Sequence, residues 1–203
     1  MMTSNEQKLD WINLPANALA ESLHAPLHDG EIVSIQSDLL ERRITLMIDV
    51  LHLRKHHKLA KEQRFVIQLQ GVQSARANTW AVWPGEMPPL KGKSHEVQTR
   101  LVKEYQAKWR EESMSWSTFL AAFEPPDFNC FDIYEAQIAR NETTTTLQIH
   151  GMLNGEEFTD QFVNIFIRAE KISIEQSAEK FISVEEFIKL GEDYWRAYEA
   201  RRK

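Results

Sequence analysis

The chain has 203 residues, of which 42% are hydrophobic and 27% charged, and its formal net charge is −6. This composition suits one compact domain, or two small ones, with a hydrophobic core. The acidic charge argues against a general phosphate-binding role, and no apolar run approaches the ~20 residues of a transmembrane helix. With a single cysteine, Cys130, and no secretory signal in MMTSNEQKLDW, we expect a cytoplasmic protein without a membrane partner.

The first thirty residues are predicted to form an N-terminal segment with one short helix. Pro15 suits a first helical position, and Leu19, Ala20 and Leu23 would give the helix an apolar face. Pro26 and the Asp29-Gly30 pair are expected to end the helix in a turn.

Residues 31–123 are predicted to form a β-β-β-α unit. Ile44, Leu46 and Ile48 stand two apart, which is the period of a strand with one buried face, and residues 65–70 repeat the pattern. A proline-rich segment at 78–93 is followed by a predicted helical stretch from Ser94, its N-cap, to about Phe123.

Residues 127–203 have the same predicted order of elements. Two strands cover 132–154, one or two more follow after 161, and a helix begins at Ser183. Ser183 and Glu186 have the spacing of a capping box, in which each side chain binds the backbone N–H of the other residue. Aromatic residues Phe187, Tyr194 and Tyr198 contribute to its apolar stripe.

An internal repeat connects the two units. When 31–48 is placed on 132–149 without a gap, six positions are identical: Ile32/Ile133, Gln36/Gln137, Glu41/Glu142, Thr45/Thr146, Leu46/Leu147 and Ile48/Ile149. The fold class predicted from this pattern is α+β. Two β-β-β-α units would build an antiparallel sheet, or two, in a pseudo-twofold arrangement with the helices packed on one face.

The run Thr143 to Thr146 falls where the repeat places the start of a strand. Threonine is β-branched and suits strands. We expect Thr145, Leu147 and Ile149 to share the buried side and the alternate residues, Thr144 and Gln148 among them, to share the exposed side.

A first candidate site is the stretch LHAPLHDGE. His24, His28, Asp29 and Glu31 are imidazole and carboxylate ligands that suit zinc or manganese, and His28 with Asp29 could also act as an acid/base pair. The alternative is a structural turn in which Asp29 binds its own backbone.

A second candidate is the basic island at 53–64, which contains His56 and His57 and follows His52. On a helix, His52 and His56 would share one face, as metal ligands do. The island is expected to be a solvated loop, however, and its lack of interleaved aromatic residues argues against binding to nucleic acid.

The third candidate is the loop sequence TWAVWPGEMPP. Trp80, Trp83 and Met87 form a predicted binding rim, because exposed aromatic side chains supply contact area at low entropic cost. The alternative is a lid folded over the sheet. Cys130 has no partner in the sequence that would activate a nucleophile and is expected to pack as a small hydrophobe.

These features predict a non-catalytic module that binds a protein partner or a small ligand and needs no cofactor. Homodimerisation through a sheet edge or an aromatic helix is a related prediction. The alternatives are a metal-dependent hydrolase that uses His24, His28 and Asp29 and, less well supported, a nucleic-acid contact through 53–64.

Overall fold

In a computed structural model, the protein is an α+β molecule that consists mostly of sheet. The structure describes residues 19–38, 40–60, 64–81, 89–106, 110–123, 130–154, 161–177 and 180–202. The strands in these ranges are β1 (Leu19–Ser22), β2 (Gly30–Asp38), β3 (Arg43–Asp49), β4 (Phe65–Gln70), β5 (Ser74–Ala81), β6 (Arg110–Met114), β7 (Cys130–Arg140), β8 (Thr145–Asn154), β9 (Gln161–Ala169), β10 (Lys171–Ser177) and β11 (Lys180–Ile182). The helices are α1 (His24–Leu27), α2 (Leu51–His56), α3 (His95–Gln106), α4 (Trp116–Ala121) and α5 (Val184–Arg202).

All eleven strands belong to one antiparallel sheet, which confirms the predicted fold class. The strand order is β11-β10-β4-β3-β2-β7-β8-β9-β5-β6, and β1 pairs with β7 on the same side as β2. Strands β2, β3 and β4 form one meander and β7, β8 and β9 a second, and the two meanders meet where β2 pairs with β7. Strand β5 then joins the outer edge of the second meander, and β10 joins the outer edge of the first.

The core explains the two-residue periodicity of the strands. Ile44, Leu46 and Ile48 of β3 are buried, and they lie opposite the buried residues Leu69, Ile67 and Phe65 of β4. Side chains on one face of an antiparallel pair touch across the strands, so each apolar position supports its neighbour. The strands predicted from this spacing are confirmed.

Two helical predictions are wrong because backbone pairing overrides local pattern. Leu19–Ser22 is a strand, since it pairs with residues 137–140 of β7, and α1 begins only at His24. The stretch after Ser94 is helical to Gln106, but Arg110–Met114 forms β6 against β5 before α4 begins. Pro15, the predicted start of the first helix, lies outside the described residues.

The threonine run leads into a strand, as predicted, but side chains on both faces of this strand are buried. The Asn141 side chain accepts hydrogen bonds from the backbone N–H groups of Thr143 and Thr144, at 3.0 and 2.8 Å, and β8 begins at Thr145. Thr144 and Gln148 are buried, so the expected exposed side is wrong for them. Gln148 lies between two neighbouring strands, opposite Gln137 and Phe166, whose side chains flank it on the same face.

Helix α5 is fixed to the sheet by its first two turns. The predicted capping box is present: Glu186 Oε2 accepts from the Ser183 N–H at 2.8 Å, and Ser183 Oγ accepts from the Glu186 N–H at 3.1 Å. The buried Phe187 ring lies 5.0 Å from the Phe65 ring, measured between centroids. No helix in the described ranges has the length and apolar character needed to cross a bilayer.

Replacing Phe187 with alanine is expected to reduce the free energy of unfolding by about 3–5 kcal/mol, because it leaves a cavity between α5 and β4. Phe181→Ala is the matched control, since that ring is 59% exposed and its loss should cost less than about 1 kcal/mol. Urea unfolding followed by circular dichroism measures both variants. Equal destabilisation by the two substitutions would contradict this assignment of the core.

Candidate ligand-binding site

An open cleft of about 530 Å³ lies between the turn after α1, helix α2 and the C-terminal half of α5. This volume is within the ~300–1,000 Å³ typical of small-molecule sites. The lining combines four rings, three cations and one carboxylate: His52, His56, Tyr194, Tyr198, Lys55, Lys58, Arg201 and Asp29. The cleft therefore contains residues from both of the histidine-rich candidates predicted from the sequence.

Helix α2 places its histidines at the cleft, and the predicted solvated loop is wrong there. Leu53 is buried in the core, and Arg54 Nε lies 2.8 Å from the carboxylate of Asp49 at the end of β3. The Nε2–H of His57 donates to the Leu190 carbonyl of α5 at 3.1 Å. With the helix held on these two sides, His52 and His56, which are four residues apart, line the cleft together.

Helices α1 and α5 approach so closely that only glycine fits between them. A Cβ atom on Gly191 would lie 2.3 Å from the backbone nitrogen of Pro26 and 2.4 Å from the carbonyl carbon of Ala25. One turn further along α5, the Trp195 Nε1–H donates to the Ala25 carbonyl at 2.9 Å. This contact sets the position of the aromatic residues of α5 beside α1 and α2.

The rings of the three helices form a continuous row. Neighbouring centroids are 4.4–5.9 Å apart along the order His24, His28, Trp195, His52, Tyr194, with His56 5.7 Å from Tyr194. Such distances are typical of interacting aromatic pairs. Tyr198 extends the row on α5 and is 40% exposed. At this end of the row the Arg202 guanidinium lies over the Tyr198 ring, 5.5 Å from its centroid.

A hydrogen bond orients the His28 ring, and burial affects the pKa of His52. His28 donates its Nδ1–H to the Tyr134 carbonyl at 3.1 Å, which directs Nε2 toward Asp29 Oδ1, 3.6 Å away. Burial lowers the pKa of His52, an effect strengthened by His28 and partly opposed by Asp29 and the Ala25 carbonyl group. His52 is therefore neutral at neutral pH.

The cations of the cleft have no ion-pair partner in the described ranges. Lys55, Lys58 and Arg201 are exposed, and none of them appears in an ion pair there. Among the described residues that line the cleft, Asp29 supplies the carboxylate. The cleft consequently has a local positive balance on a chain whose net charge is negative.

The predicted metal ligands occupy more than one place. Asp29 lines the cleft, and His24 and His28 line a separate depression beside Trp195. Glu31 lies on β2, opposite Asp132 of β7. Among the described residues, the group of three ligand atoms found within 4.8 Å of one another belongs to Glu31, Cys130 and Asp132. Burial and the adjacent carboxylates raise the pKa of the Cys130 thiol to about 11, so the thiol is protonated and a poor nucleophile at neutral pH.

The predicted aromatic rim is not described in full. Trp80 belongs to β5, opposite Glu111 of β6, while Trp83 and Met87 lie outside the described residues. The rim therefore remains a prediction.

Sequence reasoning missed the contribution of α5. Tyr194 and Tyr198 have the spacing of a core-facing stripe, which does not distinguish a core from a cleft. A signal was present in the sequence YWRAY, where three large aromatic rings fall within five residues next to several charged ones. Comparisons with protein-family models, curated proteins and solved structures give no match for this chain, so the function of the cleft must be inferred from its own residues.

Lowering the pH from about 7 to about 5 is expected to destabilise the protein through His52. Because the pKa of His52 is lowered in the folded state, the unfolded chain takes up a proton first. The contribution of neutral His52 is complete above its ordinary value of 6.5 and is lost as the pH falls below it.

Urea unfolding at a series of pH values measures this effect. His52→Gln should flatten the acid side of the stability profile, whereas His95→Gln, at an exposed histidine of α3, should leave it unchanged. Identical profiles for His52→Gln and the unmodified protein would remove His52 as the cause.

Proposed function

We propose that the protein is a non-catalytic module that binds a flat aromatic small molecule in the cleft between α1, α2 and α5. The observation that carries the proposal is the row of rings that runs from His24 to Tyr194 and continues to the half-exposed Tyr198. A planar ligand extends such a row by stacking, and each stacking contact is worth about 1–3 kcal/mol.

Adenosine is a suitable probe because it is flat, aromatic and uncharged. Its addition to the full chain should shift the NMR signals of the Trp195 indole N–H and of the α2 amides. Tyr198→Ala should weaken the binding about tenfold through the loss of one stacking surface.

The matched control is Phe181→Ala, which removes an exposed ring on β11 outside the cleft. It should bind adenosine as the unmodified protein does. Shifts confined to other parts of the molecule, or equal affinity in Tyr198→Ala, would refute the site.

A second candidate function is a metal-dependent hydrolase at His24, His28 and Asp29. It is favoured by the 4.4 Å separation of the two imidazole rings and by the Asp29 carboxylate 3.6 Å from His28 Nε2. Elemental analysis of protein purified without a chelator is the test. Stoichiometric zinc or manganese that is lost in His24→Ala/His28→Ala would support it, and sub-stoichiometric amounts of every metal would end it.

We also propose that residues 31–123 and 127–203 are two related units with a pseudo-twofold arrangement. Gly30 pairs with Ile133, and Ile32 pairs with Phe131. Corresponding residues of the two units are 101 positions apart, so Gly30 corresponds to Phe131 and Ile32 to Ile133. Exchanging the units therefore converts one of these pairs into the other. Both strands also carry an irregularity at the same place, after Ile32 in β2 and after Ile133 in β7.

The strand pairing favours a two-residue shift in the repeat after its first strand. Ile35 pairs with Leu46, and Ala136 pairs with Ile149. The first members of these pairs differ by 101 and the second by 103, so the hairpin of the second unit is two residues longer. Residues 43–48 then correspond to 146–151 instead of 144–149. Because side chains alternate along a strand, a shift of two residues leaves the same side of the strand buried.

The helices extend this correspondence. Met114 of β6 pairs with Ala77, and Ile182 of β11 pairs with Ile174, which places Ser115 and Ser183 at the same point. Both serines cap a helix through their side chains, and a buried phenylalanine follows four residues later in each case. These matches support descent of α4 and α5 from one ancestral helix, of which α5 is the longer copy.

A further inference from the structure

We propose that the ligand of the cleft is a free nucleotide, whose base stacks on the α5 aromatic residues and whose phosphate binds Lys55, Lys58 and Arg201. This inference rests on the proposed function, since it names the class of aromatic ligand. It adds a charge requirement that a neutral aromatic compound does not meet.

The charge requirement follows from the three cations, which have no ion-pair partner in the part of the chain that the structure describes. Lys55 is on α2, Lys58 follows that helix and Arg201 is on α5, yet all three line one cavity. Like charges gathered in one place raise the electrostatic free energy of the folded protein unless an anion joins them. A phosphate accepts charge-assisted hydrogen bonds from ammonium and guanidinium groups, so a phosphate bound in the cleft would reduce this repulsion.

Asp29 adds a carboxylate, which is a hydrogen-bond acceptor, to the lining of the cleft. Its side chain is 69% exposed, and its backbone has the left-handed φ of 58° that presents it at the turn before β2. A carboxylate accepts hydrogen bonds from hydroxyl groups but repels phosphate. Ring, hydroxyl and phosphate groups together are the features of a nucleotide, and they match the rings, the carboxylate and the cations.

The helix ends supply a competing explanation for all three cations. Arg201 is in the last turn of α5, Lys55 is in the last turn of α2 and Lys58 follows that helix, where positive charge is favourable to the helix dipole. That role predicts an effect on stability and none on ligand affinity. A binding role predicts an effect on ligand affinity and little effect on stability, so experiment can separate the two explanations.

A free nucleotide fits better than a nucleic-acid strand. The cavity of about 530 Å³ accommodates a small molecule, and the net charge of −6 repels an extended polyanion. No aromatic residue that could stack on a base alternates with the lysines of the basic island in sequence, but Tyr194 and Tyr198 of α5 line the same cleft as Lys55 and Lys58.

The experiment is isothermal titration of the full chain with adenosine 5′-monophosphate, adenosine, and a short single-stranded oligonucleotide bearing a 5′-phosphate. The monophosphate should bind at least about tenfold more tightly than adenosine. In Lys55→Gln/Lys58→Gln this advantage should disappear while adenosine affinity stays the same. Lys171→Gln/Lys189→Gln, at exposed lysines outside the cleft, is the matched control and should keep the advantage.

The outcomes separate this inference from the proposed function. Equal affinity for adenosine and its monophosphate overturns the nucleotide and leaves aromatic binding intact, whereas binding of neither overturns both. Tighter binding of the oligonucleotide than of the monophosphate replaces the free nucleotide with a nucleic-acid strand. Loss of the phosphate advantage in both double variants would also refute the inference, because it would show an effect of net charge alone.

Discussion

The candidate site depends on the close packing of α5 against α1. At Gly191 the helix backbone touches the backbone of Ala25 and Pro26, and no side chain larger than hydrogen fits. The next turn therefore places Trp195 against the Ala25 carbonyl and Tyr194 beside His52. The first half of α5 belongs to the core and its second half to the cleft, so one helix joins the stability of the sheet to the shape of the site.

The strands and helix caps were predictable because their information is local. Alternation in Ile44, Leu46 and Ile48 specifies a strand with one buried face, and Ser183 with Glu186 specifies a helix start, whatever the rest of the chain does. Strands β1 and β6 were missed because their own residues carry no such pattern. They are strands only because β7 and β5 offer them free edges, which is a property of the assembled sheet.

For a related reason, the sequence indicated the histidines of the site but not its α5 aromatic residues. His24, His28, His52 and His56 attract attention in any sequence, but their convergence requires knowledge of where α1 and α2 lie. The α5 aromatic residues were hidden by an ambiguity of spacing, because a stripe that faces a core and a stripe that lines a cleft have the same helical period. Exposure distinguishes the two, and Tyr198 is 40% exposed.

The exchange of outer strands has a consequence for how the chain must reach its native state. Strand β5 pairs with β9, and β10 pairs with β4. The paired residues, such as Ser74 with Arg168 and Gln70 with Lys171, are about a hundred positions apart in sequence. The outer edge of each meander is therefore covered only when a strand from the other half of the chain pairs with it. Such high contact order makes folding slow. Until β10 has been synthesised and paired, the edge of β4 stays open to the strands of neighbouring nascent chains.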